Sequence, residues 1–418
     1  MKRIPLLAVV AVLGGCGGGG AKPVDDAAEL APPTTPTFVV LKTDPGLQAR
    51  VLGRFPFGPS TLREIRQGLR MKRVLGPELE LAIFRSGTVF FTQPPDEKRF
   101  EAALAVNQVH ARIRGWTAYT NKPALLDLVR HQHGALATRS AYVAATRSLP
   151  TDALVRAYTV RGARAVPGVP ALLLPRLPAR PKWFGVAVGS SGDKVTIEQR
   201  TPGAGAGSGA RATSELASRI PAGAVLALGL DTLRRLRGKL TIAGVDLRRV
   251  VAAVGENAVA YVRPALPFPE VTIASRPDDP PAALRNVARL VATLGRPRFP
   301  SVPITVDGFG LQDVALGAVD IYYGRDDDTV VVSDATDAVA ALRSGGAKLN
   351  VAGLPDGADR LLYADAEHGI PALQAFAKLA NQRVPAEVEA KLRPLKTIVV
   401  YRTQEGRAQT FVTVLQSR

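Results

Sequence analysis

Cys16 is the one side chain in this sequence to which a definite chemical fate can be assigned. It is the only cysteine among 418 residues, which excludes an intrachain disulfide and any metal site built from several cysteines. Leu13 stands three residues before it, and Gly14 and Gly15 lie between them. A thiol can take a diacylglycerol, and small residues before it let a peptidase reach the bond. We therefore predict that the chain is cut before Cys16 and that Cys16 carries lipid.

Residues 1–15 have the layout of a secretory signal peptide, with a positive start at Lys2 and Arg3. The apolar stretch that follows is ten residues long, whereas a permanent membrane helix needs roughly 20. We expect an extracytoplasmic protein attached to the membrane through lipid on Cys16. Residues 16–36, rich in Gly and Pro, are predicted to be a flexible tether. The alternative is an ordinary signal peptide with an incidental cysteine.

Histidines offer little metal chemistry in this chain. The four are His110, His131, His133 and His368. His131 and His133 come nearest to a metal-binding pair, but they end a predicted helix, where their side chains would diverge by about 200°. No third ligand is evident, and a helix C-terminus favours an imidazole on electrostatic grounds alone.

Three further segments admit both a chemical and a plain structural interpretation. Asp326-Asp327-Asp328 could bind calcium, but it lacks the alternating ligands of a calcium loop, so a solvated hairpin turn is predicted. The segment 365–368 could supply an acid–base pair, but no nucleophile accompanies it and a loop is predicted. The glycines of 201–209 resemble a phosphate loop without its context, and a linker is predicted. The sequence therefore assigns no catalytic, cofactor-binding or metal-binding residue, and no cofactor.

Composition allows a large core but does not identify a partner. The chain is 46% hydrophobic and carries a net charge of +18. Such a charge could attract an anionic component of the cell envelope, such as phospholipid headgroups or wall polymers. High-GC coding is the simpler source, because 41 arginines stand against 13 lysines and are spread along the chain. No nucleic-acid-binding module is recognisable, so a nucleic-acid partner is not expected.

The body of the chain is predicted to be an α+β fold made of two similar repeat units. The first covers residues 37–200, a Gly/Ala/Ser-rich linker or loop covers 201–214, and the second covers 215–418. In each, a Gly-turn-strand is followed by a strand running into a capped helix, and a Leu-Pro turn precedes a closing strand. Each unit is expected to be a mainly antiparallel sheet with helices on one face. A helix is predicted from Pro95 to Val109, and a closing hairpin around Glu405-Gly406.

Several of these segments together resemble an uncharacterised family of exported lipoproteins from high-GC bacteria. They are the Leu13–Cys16 motif, the opening Phe38–Gly46, the segment Gly115–Asn121, the turn Leu149–Asp152 and the approach Leu392–Leu395 to the tail. The resemblance covers most of the chain after the tether. It implies lipid attachment and an α+β body, and it supplies no activity, ligand or catalytic residue.

Two classes of function remain open on the sequence alone. The first is a non-catalytic binding or scaffolding module of the cell envelope, with a variant that carries an apolar or lipidic ligand between sheet and helices. An apolar cavity of several hundred cubic ångströms would favour that variant. The second is an envelope hydrolase that uses a carboxylate pair, which would require two carboxylates about 5–10 Å apart in one cleft.

Overall fold

The chain folds into two compact units. A computed structural model describes residues 26–52, 74–160, 181–203, 215–229, 241–242, 245–255, 257–265, 269–294, 300–316, 319–343, 348–349, 351, 354–355, 358–379 and 383–418. The first unit comprises the chain up to residue 204 together with residues 405–413, and the second comprises 205–404 with 414–418. Helices and a largely antiparallel sheet make up the described residues, so the α+β prediction is confirmed at that level.

The first unit is a sheet of antiparallel neighbours with four α-helices among its described residues. Its strands are β1 (Thr37–Lys42), β2 (Glu78–Phe84), β3 (Gly87–Thr92), β4 (Val109–Ile113), β5 (Trp116–Thr120), β6 (Val155–Thr159), β7 (Phe184–Ser191) and β8 (Lys194–Pro202). Its helices are α1 (Pro45–Leu52), α2 (Glu97–Ala103), α3 (Pro123–Arg130) and α4 (Ser140–Thr146). The strands lie side by side in the order β4-β5-β3-β2-β1-β6-β7-β8.

The second unit is also built on antiparallel neighbours. Its strands are β9 (Leu226–Gly229), β10 (Thr241–Ile242), β11 (Val245–Asp246), β12 (Ala258–Arg263), β13 (Glu270–Ser275), β14 (Ser301–Val306), β15 (Phe309–Leu316), β16 (Val319–Asp326), β17 (Thr329–Ser333) and β18 (Asp359–Asp365). Its helices are α5 (Leu247–Val254), α6 (Pro280–Leu294), α7 (Thr336–Arg343), α8 (Ala366–Leu379) and α9 (Ala386–Leu392). The chain ends in the predicted hairpin of β19 (Leu395–Glu405) and β20 (Ala408–Ser417), whose residues 405–413 belong to the first unit.

In the second unit the main strands lie in the order β14-β15-β16-β17-β13-β12-β9-β18-β19. A two-stranded hairpin of β10 and β11 stands apart from them.

Both faces of each sheet are covered, which corrects the expectation of helices on one face only. In the first unit Phe38 and Val40 of β1 pack in one apolar cluster with α3 and α4, whereas Val39 and Leu41 pack in another with Phe100 of α2. Successive apolar residues of a strand point to opposite faces, so a run such as Phe38–Leu41 requires cover on both.

The second unit likewise has helices on two faces. On one, Ala258 and Ala260 of β12 contact the cluster formed by α5 and α6. On the other, the Tyr261 hydroxyl donates to the carbonyl of Ala338 on α7 at 2.7 Å.

Residues 26–36 are part of the folded first unit, although the sequence places them in the flexible tether. Ala27 and Ala28, in the 3₁₀ turn Ala27–Glu29, are fully buried, and Thr35 is buried as well. Backbone carbonyls of this segment accept hydrogen bonds from Leu136 N at 2.8 Å and from Gln132 Nε2 at 2.9 Å. The apolar side chains between the prolines stabilise this docking, and they outweigh the Pro-rich composition.

The helix predicted from Pro95 to Val109 is shorter than expected. Asp96 caps α2 by accepting from Arg99 N at 3.0 Å, as the sequence suggests, but α2 ends at Ala103. Val109 instead begins β4, which turns back at Arg114-Gly115, both with positive φ. Two residues in that conformation fit a tight hairpin, and the pairing of β4 with β5 removes residues 109–113 from the helix.

Candidate functional site

An apolar row of side chains crosses five neighbouring strands of the second unit. Val271, Val262, Leu226, Ala364 and Ile398 stand directly opposite one another on β13, β12, β9, β18 and β19. Directly paired residues on adjacent strands point to the same face, so the five form one continuous strip. With strands about 4.8 Å apart, the strip is roughly 19 Å long. We call it the second-unit row.

Helix α8 lies over this row and leaves space beneath it. Four residues of α8 line the cavity: Ala366, Gly369, Ile370 and Ala372. They lie on one side of the helix, because each is three or four positions from another member of the group. Three of the four have a methyl group or no side chain. A Cβ built on Gly369 would meet Val225 at an ordinary 3.7 Å, so nothing crowds the backbone there.

The space between row and helix is a cavity of about 310 Å³ with almost entirely apolar walls. Leu392 at the end of α9 and Pro269 complete its lining. A cavity of this size falls at the lower end of the range for small-molecule sites, and such walls favour an apolar occupant through the hydrophobic effect. It can bind and shelter a ligand.

Asp365 is the one charged residue in this lining. It ends β18 and caps α8, because its Oδ1 accepts from His368 N at 3.0 Å. Its Oδ2 lies 2.8 Å from Nδ1 of His368, an exposed side chain. The hydrogen bond and charge of Asp365 raise the pKa of His368 above its ordinary value. The loop predicted for 365–368 is therefore a strand end and a helix start, and the two residues meet as an ion pair.

Pro371 lies inside α8, on the helix that covers the cavity. A proline has no N–H, so it cannot donate to the carbonyl four residues earlier and it disturbs the preceding turn. Gly369, two residues before it, is itself a weak helix former. The first two turns of α8 are therefore the weakest part of the cavity wall.

The other residues considered from the sequence do not converge on a site. Cys16 and residues 204–214 lie outside the described residues. His110 on β4 pairs with Glu101 at 3.1 Å, and His131 caps the end of α3 with its Nδ1 3.0 Å from the Asp127 carbonyl. His133 is exposed. Within the described part of the chain, no three His, Cys, Asp or Glu side chains cluster closely enough to hold a metal ion.

Asp326-Asp327-Asp328 forms the turn between β16 and β17, as predicted. Asp327 has φ of 50°, and the outer two aspartates pair with different arginines. Asp328 lies 3.4 Å from Arg276, and Asp326 lies 3.6 Å from Arg343. The outer carboxylates are thus engaged with cations of the protein itself.

An acidic pair, Glu80 and Asp26, lies in the first unit, and no motif in the sequence indicates it. Glu80 on β2 is fully buried, and neither carboxylate oxygen has a hydrogen-bond donor. Burial raises the pKa of Glu80 well above its ordinary range, and the neighbouring Asp26 raises it further. Asp26 Oδ2 in turn accepts from the Tyr142 hydroxyl at 3.1 Å. A protonated Glu80 can donate to Asp26, which lets two carboxyl groups share one buried site.

Comparison with known protein families and with characterised proteins gives no match to this chain. Among solved structures, crystal forms I and IV of the protein TP0453 are similar to it at 10% sequence identity. They cover 44% and 43% of this chain and 82% and 81% of their own, with TM-scores of 0.27 and 0.25. Scores this low do not identify a common fold.

Membrane-spanning helices do not appear in the described part of the chain: none of its helices is both long and apolar enough to cross a bilayer.

Proposed function

We propose that this protein is a non-catalytic binding module of the cell envelope that carries an apolar ligand in the cavity of the second unit. The observation that carries the proposal is the second-unit row under α8. Five aligned apolar side chains beneath a helix face of small residues make a cavity of about 310 Å³. Apolar walls exposed to water are unfavourable by about 25 cal/mol per Å², which an apolar ligand would recover.

The proposal includes an extracytoplasmic location and attachment to the membrane by lipid on Cys16. The signal-like residues 1–15 and the Leu13–Cys16 spacing support it. Ten peptide steps separate Cys16 from Asp26, the first residue that the structure describes, and they reach at most about 35 Å. Asp26 would therefore stay close to the bilayer surface. An anionic component of the envelope is a further proposed partner, supported by the net charge of +18.

We further propose that the two units are copies of one plan. The order β4-β5-β3-β2-β1-β6-β7 in the first unit has the same connections as β16-β17-β13-β12-β9-β18-β19 in the second. In this correspondence β14 and β15 are an insertion of the second unit. The second-unit row passes through Leu226, the first residue of β9. The corresponding row of the first unit passes through Thr37, the first residue of β1.

Mass spectrometry of the native protein purified from membranes tests anchor and ligand together. Intact mass should correspond to a chain that begins at Cys16 and carries acyl groups, and a Cys16→Ala variant should lack that addition. Under gentle conditions the native protein should also retain an apolar molecule. An unmodified Cys16 would refute the anchor, and an empty, ligand-indifferent protein would refute the carrier.

The hydrolase alternative has weaker support. It requires two carboxylates in one cleft, whereas Asp365 is the single carboxylate in the described lining of the cavity. Asp26 and Glu80 do lie together, but Glu80 is fully buried and has no access to a substrate. Neither arrangement favours hydrolysis over binding.

A further inference from the structure

The cavity has the capacity for one short hydrocarbon chain. An engineered protein cavity of about 150 Å³ accommodates benzene, which corresponds to a cavity volume of about 25 Å³ for each carbon atom. At that ratio a cavity of about 310 Å³ holds about twelve carbons. The second-unit row is a narrow strip along five strands, one side chain wide, which matches a single extended chain better than a fused ring system or two chains.

Asp365 is the charged residue in the described lining of the cavity, and it is paired with His368. The Asp365 carboxylate is engaged by His368 through both oxygens, at 3.0 and 2.8 Å. Each carboxylate oxygen retains another lone pair, so Asp365 can still accept a hydrogen bond from a ligand. An anionic headgroup placed against it would meet a like charge beside apolar walls, where repulsion is stronger than in water. A hydroxyl group meets no such penalty.

Resting on the carrier function proposed above, we propose that the cavity takes a neutral, single-chain amphiphile. Its alkyl chain of about twelve carbons lies along Val262, Leu226 and Ala364, and its hydroxyl-bearing headgroup donates a hydrogen bond to Asp365. Small side chains on α8 set the length of chain that fits. The Asp365 carboxylate sets the preference against anionic headgroups.

A chain-length series tests this assignment. The full acylated protein is held in lipid nanodiscs, and binding of monoacylglycerols with eight, twelve and sixteen carbons is measured against empty nanodiscs. Affinity should rise about fourfold for each methylene up to about twelve carbons, and it should gain nothing from twelve to sixteen. The twelve-carbon fatty acid should bind at least about tenfold more weakly than the monoacylglycerol of equal chain length.

Three variants make the test specific. Ala372→Leu adds three carbons to the cavity wall and should move the best chain length down by about three carbons. Gln374→Leu places the same leucine side chain on the exposed side of the same helix and should leave the optimum at twelve. Asp365→Asn removes the charge of this side chain, so the ratio of monoacylglycerol affinity to fatty-acid affinity should fall toward one.

The outcomes separate this inference from the carrier function. Affinity that keeps rising to sixteen carbons, stronger binding of the fatty acid, or an optimum that Ala372→Leu leaves in place would overturn the single-chain assignment. A second outcome is that no compound of the series binds, but the native protein retains another apolar molecule and the Ala372→Leu variant does not. In that case the single-chain assignment fails and the carrier function stands. If no apolar molecule binds at all, both fail.

Discussion

The two units share a strand order but treat the same row of their sheets differently. In the first unit the row is Thr88, Ile83, Thr37, Thr159 and Phe184 on β3, β2, β1, β6 and β7. Thr37 and Thr159 hydrogen-bond to each other through their hydroxyls at 2.9 Å. In the second unit the matching central pair is Leu226 and Ala364, which have no polar side-chain atom and border the cavity.

The buried polar groups follow the same division. Glu80 lies three residues before Ile83 on β2, and the equivalent position on β12 is Val259, three residues before Val262. Glu80 and Val259 are both fully buried. The first unit therefore places hydrogen-bonding and titratable groups where the second has apolar ones. The same strand order thus packs the N-terminal segment in the first unit and borders an apolar cavity in the second.

The largest effect is expected from filling the second-unit row at its centre. Leu226→Trp adds about six heavy atoms, close to half of the cavity at about 25 Å³ for each. Affinity for the apolar ligand should fall by more than about 100-fold in a direct binding titration. Gln374→Trp, on the exposed side of α8, is the matched control and should bind normally. Normal binding by Leu226→Trp would place the ligand elsewhere.

Exchanging the central pairs of the two rows should produce the next largest effect. Leu226→Thr with Ala364→Thr gives the second unit the threonine pair of the first, and the new hydroxyls can bond to each other as Thr37 and Thr159 do. The fold should persist, and ligand affinity should fall about tenfold because apolar contact is lost. The reverse change, Thr37→Leu with Thr159→Ala, should cost about 1 kcal/mol of unfolding free energy and leave binding unaltered. Equal loss of affinity in both double variants would contradict the division of roles.

Proline lies at different positions in α8 of the second unit and α3 of the first. Pro371 interrupts α8, whereas Pro123 occupies the first turn of α3, where a missing N–H does no harm. Pro371→Ala should raise the free energy of unfolding by about 1–2 kcal/mol and slow ligand release several-fold in stopped-flow measurements. Pro123→Ala should change neither by more than about 0.5 kcal/mol. If the ligand left the Pro371→Ala variant faster than the natural protein, ligand release through local opening of α8 would be excluded.

Glu80 should make the stability of the first unit fall as pH rises. Burial and Asp26 raise its folded-state pKa, while Glu78 raises and Arg156 lowers it. The folded state therefore holds a proton that the unfolded state releases above about pH 4.5, and stability declines from there toward the folded-state pKa. Glu80→Gln keeps the shape without the titration and should flatten this decline in denaturant unfolding measured from pH 4 to 9. A wild-type curve that rises with pH over this interval, and is unaltered in Glu80→Gln, would contradict the buried neutral acid.

The smallest effect concerns the ion pair at the end of the cavity. The pKa of His368 should lie above its ordinary value in an NMR titration, and Asp365→Asn should lower it, because the carboxylate is the main cause of the shift. A raised pKa means that the pair stabilises the fold fully below the unfolded pKa of about 6.5 and loses that contribution as pH rises through the folded value. An unshifted His368 would show that the pair is open in solution.

Local pattern was sufficient for many elements and insufficient for the site. β5, β17, α6 and the closing hairpin follow from alternation, helical spacing and turn residues. The predicted tether extends too far along the chain, because the burial of Ala27, Ala28 and Leu30 depends on contacts with residues more than 100 positions away.

The cavity could not be found from sequence because its floor is assembled by register. Leu226 and Ala364 are 138 positions apart, and their pairing is fixed by the sheet and not by any local motif. The small residues Ala366, Gly369 and Ala372 are visible in the sequence, but small residues on a helix more often allow close packing than a void. Whether close packing or a cavity results depends on the strands opposite the helix. Glu80 was equally hidden, since a Glu in a strand ordinarily faces water.

The most direct test of the division between the units is the number of apolar molecules retained by each chain in native mass spectrometry. We predict one molecule per chain for the natural protein, none for Leu226→Trp, and one for Thr37→Leu with Thr159→Ala. Retention of the molecule by Leu226→Trp, or its loss from the first-unit variant, would contradict the assignment of ligand binding to the second unit.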